Sequence, residues 1–179
     1  MTILVGIDNP TQVRAVGPFG AGLYAVATQL YTSLSSGTAT GMQFSSSYNL
    51  SSYILCFYDA TGTTLLGQTG TIAAGTGLKS GSLLSSVGII ASTNYVLAIV
   101  ASTANNTVPF YTDSNASYFF NSESTGSFAP PATVPTGNGG LAPGNISVAI
   151  TGTTGGGGTG PAPMYYQRKV IQTDTIIYY

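Results

Sequence analysis

The stretch YILCFYDATGTTLLGQTGTI, residues 53–72, decides the fold class. In its first six residues both alternating sets are apolar: Ile54, Cys56 and Tyr58 fall on one face, Leu55 and Phe57 on the other. Side chains alternate across a strand, so a strand apolar on both faces belongs in the middle of a sheet with neither side meant for water. Asp59-Ala60-Thr61-Gly62 follows, a polar start and a glycine able to take positive φ, which suits a four-residue hairpin connection before the chain returns through residues 63–71. YVLAIVA, residues 95–101, is equally rich in β-formers and equally apolar on both sides, and is the expected partner of this hairpin.

Working outward, the charge content is the anomaly of the chain. Only Asp8, Arg14, Asp59, Lys79, Asp113, Glu123, Arg168, Lys169 and Asp174 are charged, 5% of 179 residues, against roughly 25% in a soluble domain. Ser (20), Thr (25) and Gly (24) take their place, so the polar strand faces carry hydroxyls rather than ions, a composition that suits sheets and turns and disfavours long helices. A net charge of −1 gives little repulsion between copies and favours assembly. Four scattered cations make no basic stripe, so no nucleic-acid partner is expected. The most apolar window, residues 87–101, is interrupted by Ser92-Thr93-Asn94 and falls short of the roughly 18–20 residues of a spanning helix, so no membrane partner is expected either. The first residues reach Asp8 after a short apolar run with no basic region, unlike a secretion signal, so the product is expected to stay where it is made. A lone cysteine, Cys56, excludes an intrachain disulfide and reads as a small buried hydrophobe.

Along the chain, residues 1–20 read as an N-terminal arm with two short extended pieces, and 21–151 as the β-sandwich domain. Residues 23–34 place apolar side chains at helical spacing, but Gly22 and the hydroxyl and β-branched residues around Thr32 favour a strand. Residues 39–44 form another strand. A glycine-rich connection spans 70–81, and strands at 108–111 and 116–120 bracket Thr112-Asp113-Ser114-Asn115 as a second hairpin. In residues 145–151, Ile146, Val148 and Ile150 alternate with Ser147, Ala149 and Thr151, the cleanest amphipathic strand of the chain. Residues 152–163, GTTGGGGTGPAP, read as a linker, and 164–179, MYYQRKVIQTDTIIYY, as a C-terminal β arm too apolar to be left in water. The pattern of short strands with frequent turn signals gives an all-β, antiparallel, jelly-roll-like sandwich with extended arms at both ends.

No histidine occurs, which removes Ser-His-Asp and Cys-His schemes and the commonest general base. Asp59, Asp113 and Glu123 all sit in or beside turns, where carboxylates bond local backbone, so no acid–base pair is assigned and the chain is not read as an enzyme. GTGLKS, residues 75–80, lacks the glycines of a phosphate loop. Tyr111, Asp113, Asn115 and Tyr118 make a candidate ligand loop: tyrosines stack on sugar rings, and Asp113, Ser114 and Asn115 offer oxygens of the kind Ca²⁺ accepts. An ordinary turn and aromatic packing are the preferred reading of the same residues, and no cofactor or metal is assigned. The candidate assembly arm comprises Met164, Tyr165, Tyr166, Arg168, Lys169, Val170, Ile171, Ile176, Ile177, Tyr178 and Tyr179. Asn49, Asn105, Asn115 and Asn145 carry glycosylation acceptor patterns of the kind a Ser/Thr-rich chain generates by chance.

GMQF at 41–44, YILCFYDATGTTLL at 53–66, VGIIASTNYVLAIVAS at 87–102 and VPFYTDSNASYFF at 108–120 resemble, in order and pattern, jelly-roll domains related to carbohydrate-binding modules, found beside secreted sugar-active enzymes and in phage structural proteins. The resemblance covers residues 39–120 and implies a jelly-roll sandwich. The uncharged Ser/Thr/Gly style with arms at both ends is similar to that of virion decoration and fibre proteins. The expectation is therefore a virion structural protein, made in the host cytoplasm, whose partners are copies of itself, as a homotrimer, and other virion proteins. The alternative is a carbohydrate-binding or host-adhesion module with glycan partners.

Overall fold

A computed structural model describes residues 2–7, 12–16, 24–46, 51–102, 108–112, 119–125, 127–134, 142–143 and 146–155. Their strands are β1 (Thr2–Gly6), β2 (Gln12–Val16), β3 (Tyr24–Thr32), β4 (Gly37–Ser46), β5 (Tyr53–Tyr58), β6 (Leu65–Gln68), β7 (Gly77–Ile89), β8 (Asn94–Ala101), β9 (Val108–Thr112), β10 (Phe119–Thr125), β11 (Ala142–Pro143) and β12 (Val148–Thr154). No helix occurs among the described residues. One sheet runs β1-β12-β4-β9-β2, with β7 also on β4; the other runs β11-β10-β3-β8-β5-β6, and all pairings are antiparallel.

The two apolar faces of residues 53–58 explain the layering. Tyr53, Leu55 and Phe57 point between the sheets, where they meet Leu97 and Ile99 of β8 and Met42, Phe44, Val148 and Ile150 from the facing sheet. Phe44 and Tyr53 pack edge to face with ring centres 4.6 Å apart, and the Tyr53 hydroxyl is 2.8 Å from Ser46 Oγ, so the largest polar tip in the core is bonded. Cys56 and Tyr58 point the other way, with Val96, Ala98 and Val100. That second face is covered by a strap, residues 127–134, through Phe128 and Val134. The strap is pinned twice: the Tyr58 hydroxyl donates to the Pro131 carbonyl at 2.8 Å, and Val134 N–H donates to the Gly62 carbonyl at 2.9 Å. Burying side chains of this size is worth about 1.5–3 kcal/mol each, so a strand apolar on both sides needs both layers.

The hairpin forms where its turn residues place it. Gly62 takes φ 69°, its N–H donates to the Asp59 carbonyl at 3.0 Å, and β5 and β6 pair from Cys56↔Gln68 to Tyr58↔Leu65. At Gly67 the Phe57 ring occupies the space of a side chain, for an added Cβ would fall 2.5 Å from it. On its other edge β5 pairs with β8 over its whole length, Tyr53↔Ala101 to Tyr58↔Val96, as the matching apolar patterns require. Residues 24–32 are a strand rather than a helix, each residue from Ala25 onward facing one of β8.

Five expectations are corrected. Residues 2–6 are no loose arm: β1 pairs with β12, Thr2 opposite Gly152, and buries Leu4 and Val5 completely. Residues 77–81, expected in a connection, begin β7, because alternation of Lys79, Gly81 and Leu83 against Leu78, Ser80 and Ser82 satisfies a half-exposed edge strand. Residues 108–112 and 119–125 do not form a hairpin. β9 joins β2 and β4 in one sheet and β10 joins β3 in the other, so the two strands lie in different sheets where the turn signal suggested a pair. In residues 146–151, which lead into and begin β12, both alternating sets are buried, Ser147, Ala149 and Thr151 as fully as Ile146, Val148 and Ile150. The hydroxyl row is small enough to be covered, and the Ser147 and Thr151 hydroxyls find no hydrogen-bond partner there. β12 also runs on to Thr154, opposite Gly37, three residues into the stretch that reads as linker.

Candidate functional site

The assembly-arm residues 164–179 lie outside the described residues, as do Asp113, Asn115 and Tyr118 of the candidate ligand loop. Tyr111 falls on β9 at the register position opposite Val13 of β2. Of the candidate ligand loop only Tyr111 is among the described residues, and the site that the described residues build is one the sequence reading passed over.

That site is the seam where the two sheets meet along β6 and β7. After β6 the chain keeps to β5: the Thr69 N–H donates to the Leu55 carbonyl at 2.8 Å, the Leu55 N–H donates to Thr69 Oγ1 at 3.1 Å, and Ile72 bridges Tyr53. β7 then returns on the other sheet, pairing with β4 from Ser46↔Gly77 to Gly41↔Ser82. Pairing resumes only at Ala39↔Val87. Residues 83–86 arch away from β4 in a wide bulge, which adds twist and re-aims the strand. The arch carries Leu83 across to the other sheet, where it forms a β-bridge with Thr69.

On either side of that bridge the two strands splay. Residues 70–73 and 78–84 wall an open cleft of about 790 Å³, and a smaller hollow lies between 65–68 and Leu84 and Ser85. Ile72 is buried at the cleft, whereas Leu78 and Leu84 on its wall are 62% and 66% exposed and Leu65 beside the hollow is 42% exposed. Small residues, Gly70, Ser80, Gly81 and Ser82, keep the cleft shallow. The outer edge of residues 78–82 faces this cleft and not another strand among those described. Lys79 extends along it, its Nζ donating to the Ala74 carbonyl at 3.3 Å.

The other polar groups are settled locally. Desolvation opposes the Asp59 carboxylate, but hydrogen bonds from the Thr61 hydroxyl at 2.9 Å and the Thr63 and Thr64 amides at 3.0 and 3.3 Å outweigh it and bring its pKa down to about 2. Its role is to fix the hairpin turn. Burial pushes the Cys56 thiol up to about 12, opposed only in part by its hydrogen bond to the Tyr58 hydroxyl. Burial likewise pushes Tyr58 up, reinforced by Cys56. Both groups are neutral packing elements beneath the strap. Among the described residues no three His, Cys, Asp or Glu side chains cluster in a way that would hold a metal ion.

The seam's arrangement, an unpartnered strand edge, protruding leucines and one cation, can bind an extended chain segment with apolar side chains and a carboxylate. One signal in the sequence points to it: Leu78, Leu83 and Leu84 stand in a stretch of Gly and Ser with no other large side chain but Lys79. Comparison of the chain with protein-family models, with curated proteins and with solved structures finds no match.

Proposed function

We propose that this chain is a non-enzymatic structural subunit of a virion, a capsid decoration or a tail or fibre component, that assembles through its terminal segments and sheet faces. The observation that carries the reading is the leucine row of the seam, Leu65, Leu78 and Leu84, left 42–66% exposed in a chain with only nine charges. Exposed apolar side chains lining one seam, on a chain with so little charge repulsion, suit another protein surface. A homotrimer is the expected form, since closed symmetric assemblies use such a row without leaving it open to further growth. The test is sedimentation of the full chain at micromolar concentration. The expected species is three times the 18.2 kDa chain. A monodisperse monomer that binds oligosaccharides would overturn the reading in favour of an adhesion module.

A further inference from the structure

The cleft beside β7 has a shape and a charge that ask for a particular occupant. Among the described residues it offers a strand edge at residues 78–82 that pairs with no strand across the cleft, apolar contacts at Ile72, Leu78 and Leu84, and one cation, Lys79, whose Nζ donates to the uncharged Ala74 carbonyl. Residues 170–179, VIQTDTIIYY, hold β-formers at period two and a single anion, Asp174. A strand laid on the edge of β7 would pair its backbone groups, bury its isoleucines and bring Asp174 to a cation that lacks a carboxylate.

The length of chain is sufficient. Thr154 pairs with Gly37, which pairs with Ile89, and Lys79 lies opposite Phe44 further along the same strand. At ~3.4 Å per residue along the strand and ~4.8 Å per strand across, Lys79 stands about 26 Å from Thr154. Asp174, about 20 residues beyond Thr154, has a coil reach of roughly 25 Å. That reach serves a chain's own cleft or a neighbour's. The charge content decides between them: nine charges in 179 residues give little repulsion between copies, and the exposed Leu65 and Leu84 of the neighbouring hollow add apolar surface for a second copy to cover beside the segment. We infer that residues 170–179 of a second copy add to the β7 edge in this cleft, with Asp174 of that copy beside Lys79. This rests on the assembly reading above.

The test uses full-length chains carrying K79E or D174K. Each alone sets like charges together in every copy and is expected to weaken self-association about fivefold, with the melting temperature of the dissociated chain unchanged. Mixed in equal amounts, the two variants place complementary cleft and tail at two of the three contacts of a closed trimer, and association recovers in part, well above that of either variant alone. In the wild type, a zero-length carbodiimide cross-link should join Lys79 to Asp174 between isotopically distinguishable copies. If the wild type associates but the variants and their mixture behave like it and no such cross-link forms, this inference fails and the assembly reading stands. If the wild type is monomeric with the cross-link inside one chain, its own tail fills the cleft, and both the second-copy assignment and the assembly reading fail. A monomer with no cross-link overturns both.

Discussion

Replacing Tyr58 by phenylalanine removes one hydroxyl from the underside of the strap, and the thiol of Cys56 reports the result. The bond lost to the strap is the 2.8 Å donation to the Pro131 carbonyl, worth about 1 kcal/mol because Pro131 is half-exposed and its carbonyl can turn to water instead; the weak 3.8 Å bond from the Cys56 thiol goes with it, lies within the sheet face and does not hold the strap. With tenfold per ~1.4 kcal/mol, openings of the strap should become about fivefold more frequent. Cys56 is fully buried, and burial pushes its thiol up to about 12, so at pH 7.5 a thiol reagent meets no thiolate until the strap lifts or the chain unfolds. The Y58F variant should therefore label about fivefold faster. Leu97, between the sheets, supplies the control: L97A should cost about 2–5 kcal/mol of global stability, yet leave labelling within about twofold if the strap is the route. Stopped-flow labelling beside denaturant melts distinguishes the cases. Unchanged labelling in Y58F, with L97A accelerated in step with its lost stability, would refute the idea that the strap opens on its own.

Other consequences are as direct. The Asp59 carboxyl has a pKa of about 2 against an ordinary value near 3.8, so its contribution is present above pH 4 and lost as the pH falls through 2; melting temperatures of the wild type should drop across that window more than those of D59N, and equal slopes would refute it. G67A forces a methyl to within 2.5 Å of the Phe57 ring and should destabilise by about 1–3 kcal/mol in denaturant melts, with partial relief in the double variant carrying F57L; no loss in the single variant refutes the packing described. A chain ending at Gly160 should melt like the isolated monomer and lose self-association in sedimentation, whereas a large fall in its melting temperature would place residues 164–179 in their own core. D59N, D113N and E123Q should leave any hydrolytic turnover found in preparations unchanged, and loss of turnover by a folded variant would mean that the chain is an enzyme.

Much of the fold was legible because it rests on strands whose pattern admits one position. Residues 53–58 and 95–101, apolar on both faces, had to be central and had to find each other. The strap was not legible: SFAPPATV holds two prolines and no alternating pattern, yet it supplies Phe128 and Val134 to the second face of the sheet, a role set by what lies beneath it. The amphipathic reading of 145–151 failed because Ser147, Ala149 and Thr151 are small, and small side chains can be covered as readily as wetted. The β9–β10 reversal misled because a turn signal marks where a chain bends and carries nothing about which sheet it enters next. The seam was missed for the same reason as the start of β7: glycines that suggest a connection also allow an edge strand to lie close to Ile72.

The pairing of Thr2 with Gly152 has a mechanical consequence. β1 and β12 are antiparallel neighbours, and residues 2 and 155 leave the sandwich at the same end. Tension applied between those two residues would load the ladder at its open end, breaking one rung at a time and drawing Leu4 and Val5 out of the interior in sequence, so the domain should yield at low force along this axis. Held instead by residue 155 and by the β7 edge, the load would cross β12, β4 and β7 in the plane of the sheet. How such a protein is tethered would then determine how much pulling it withstands.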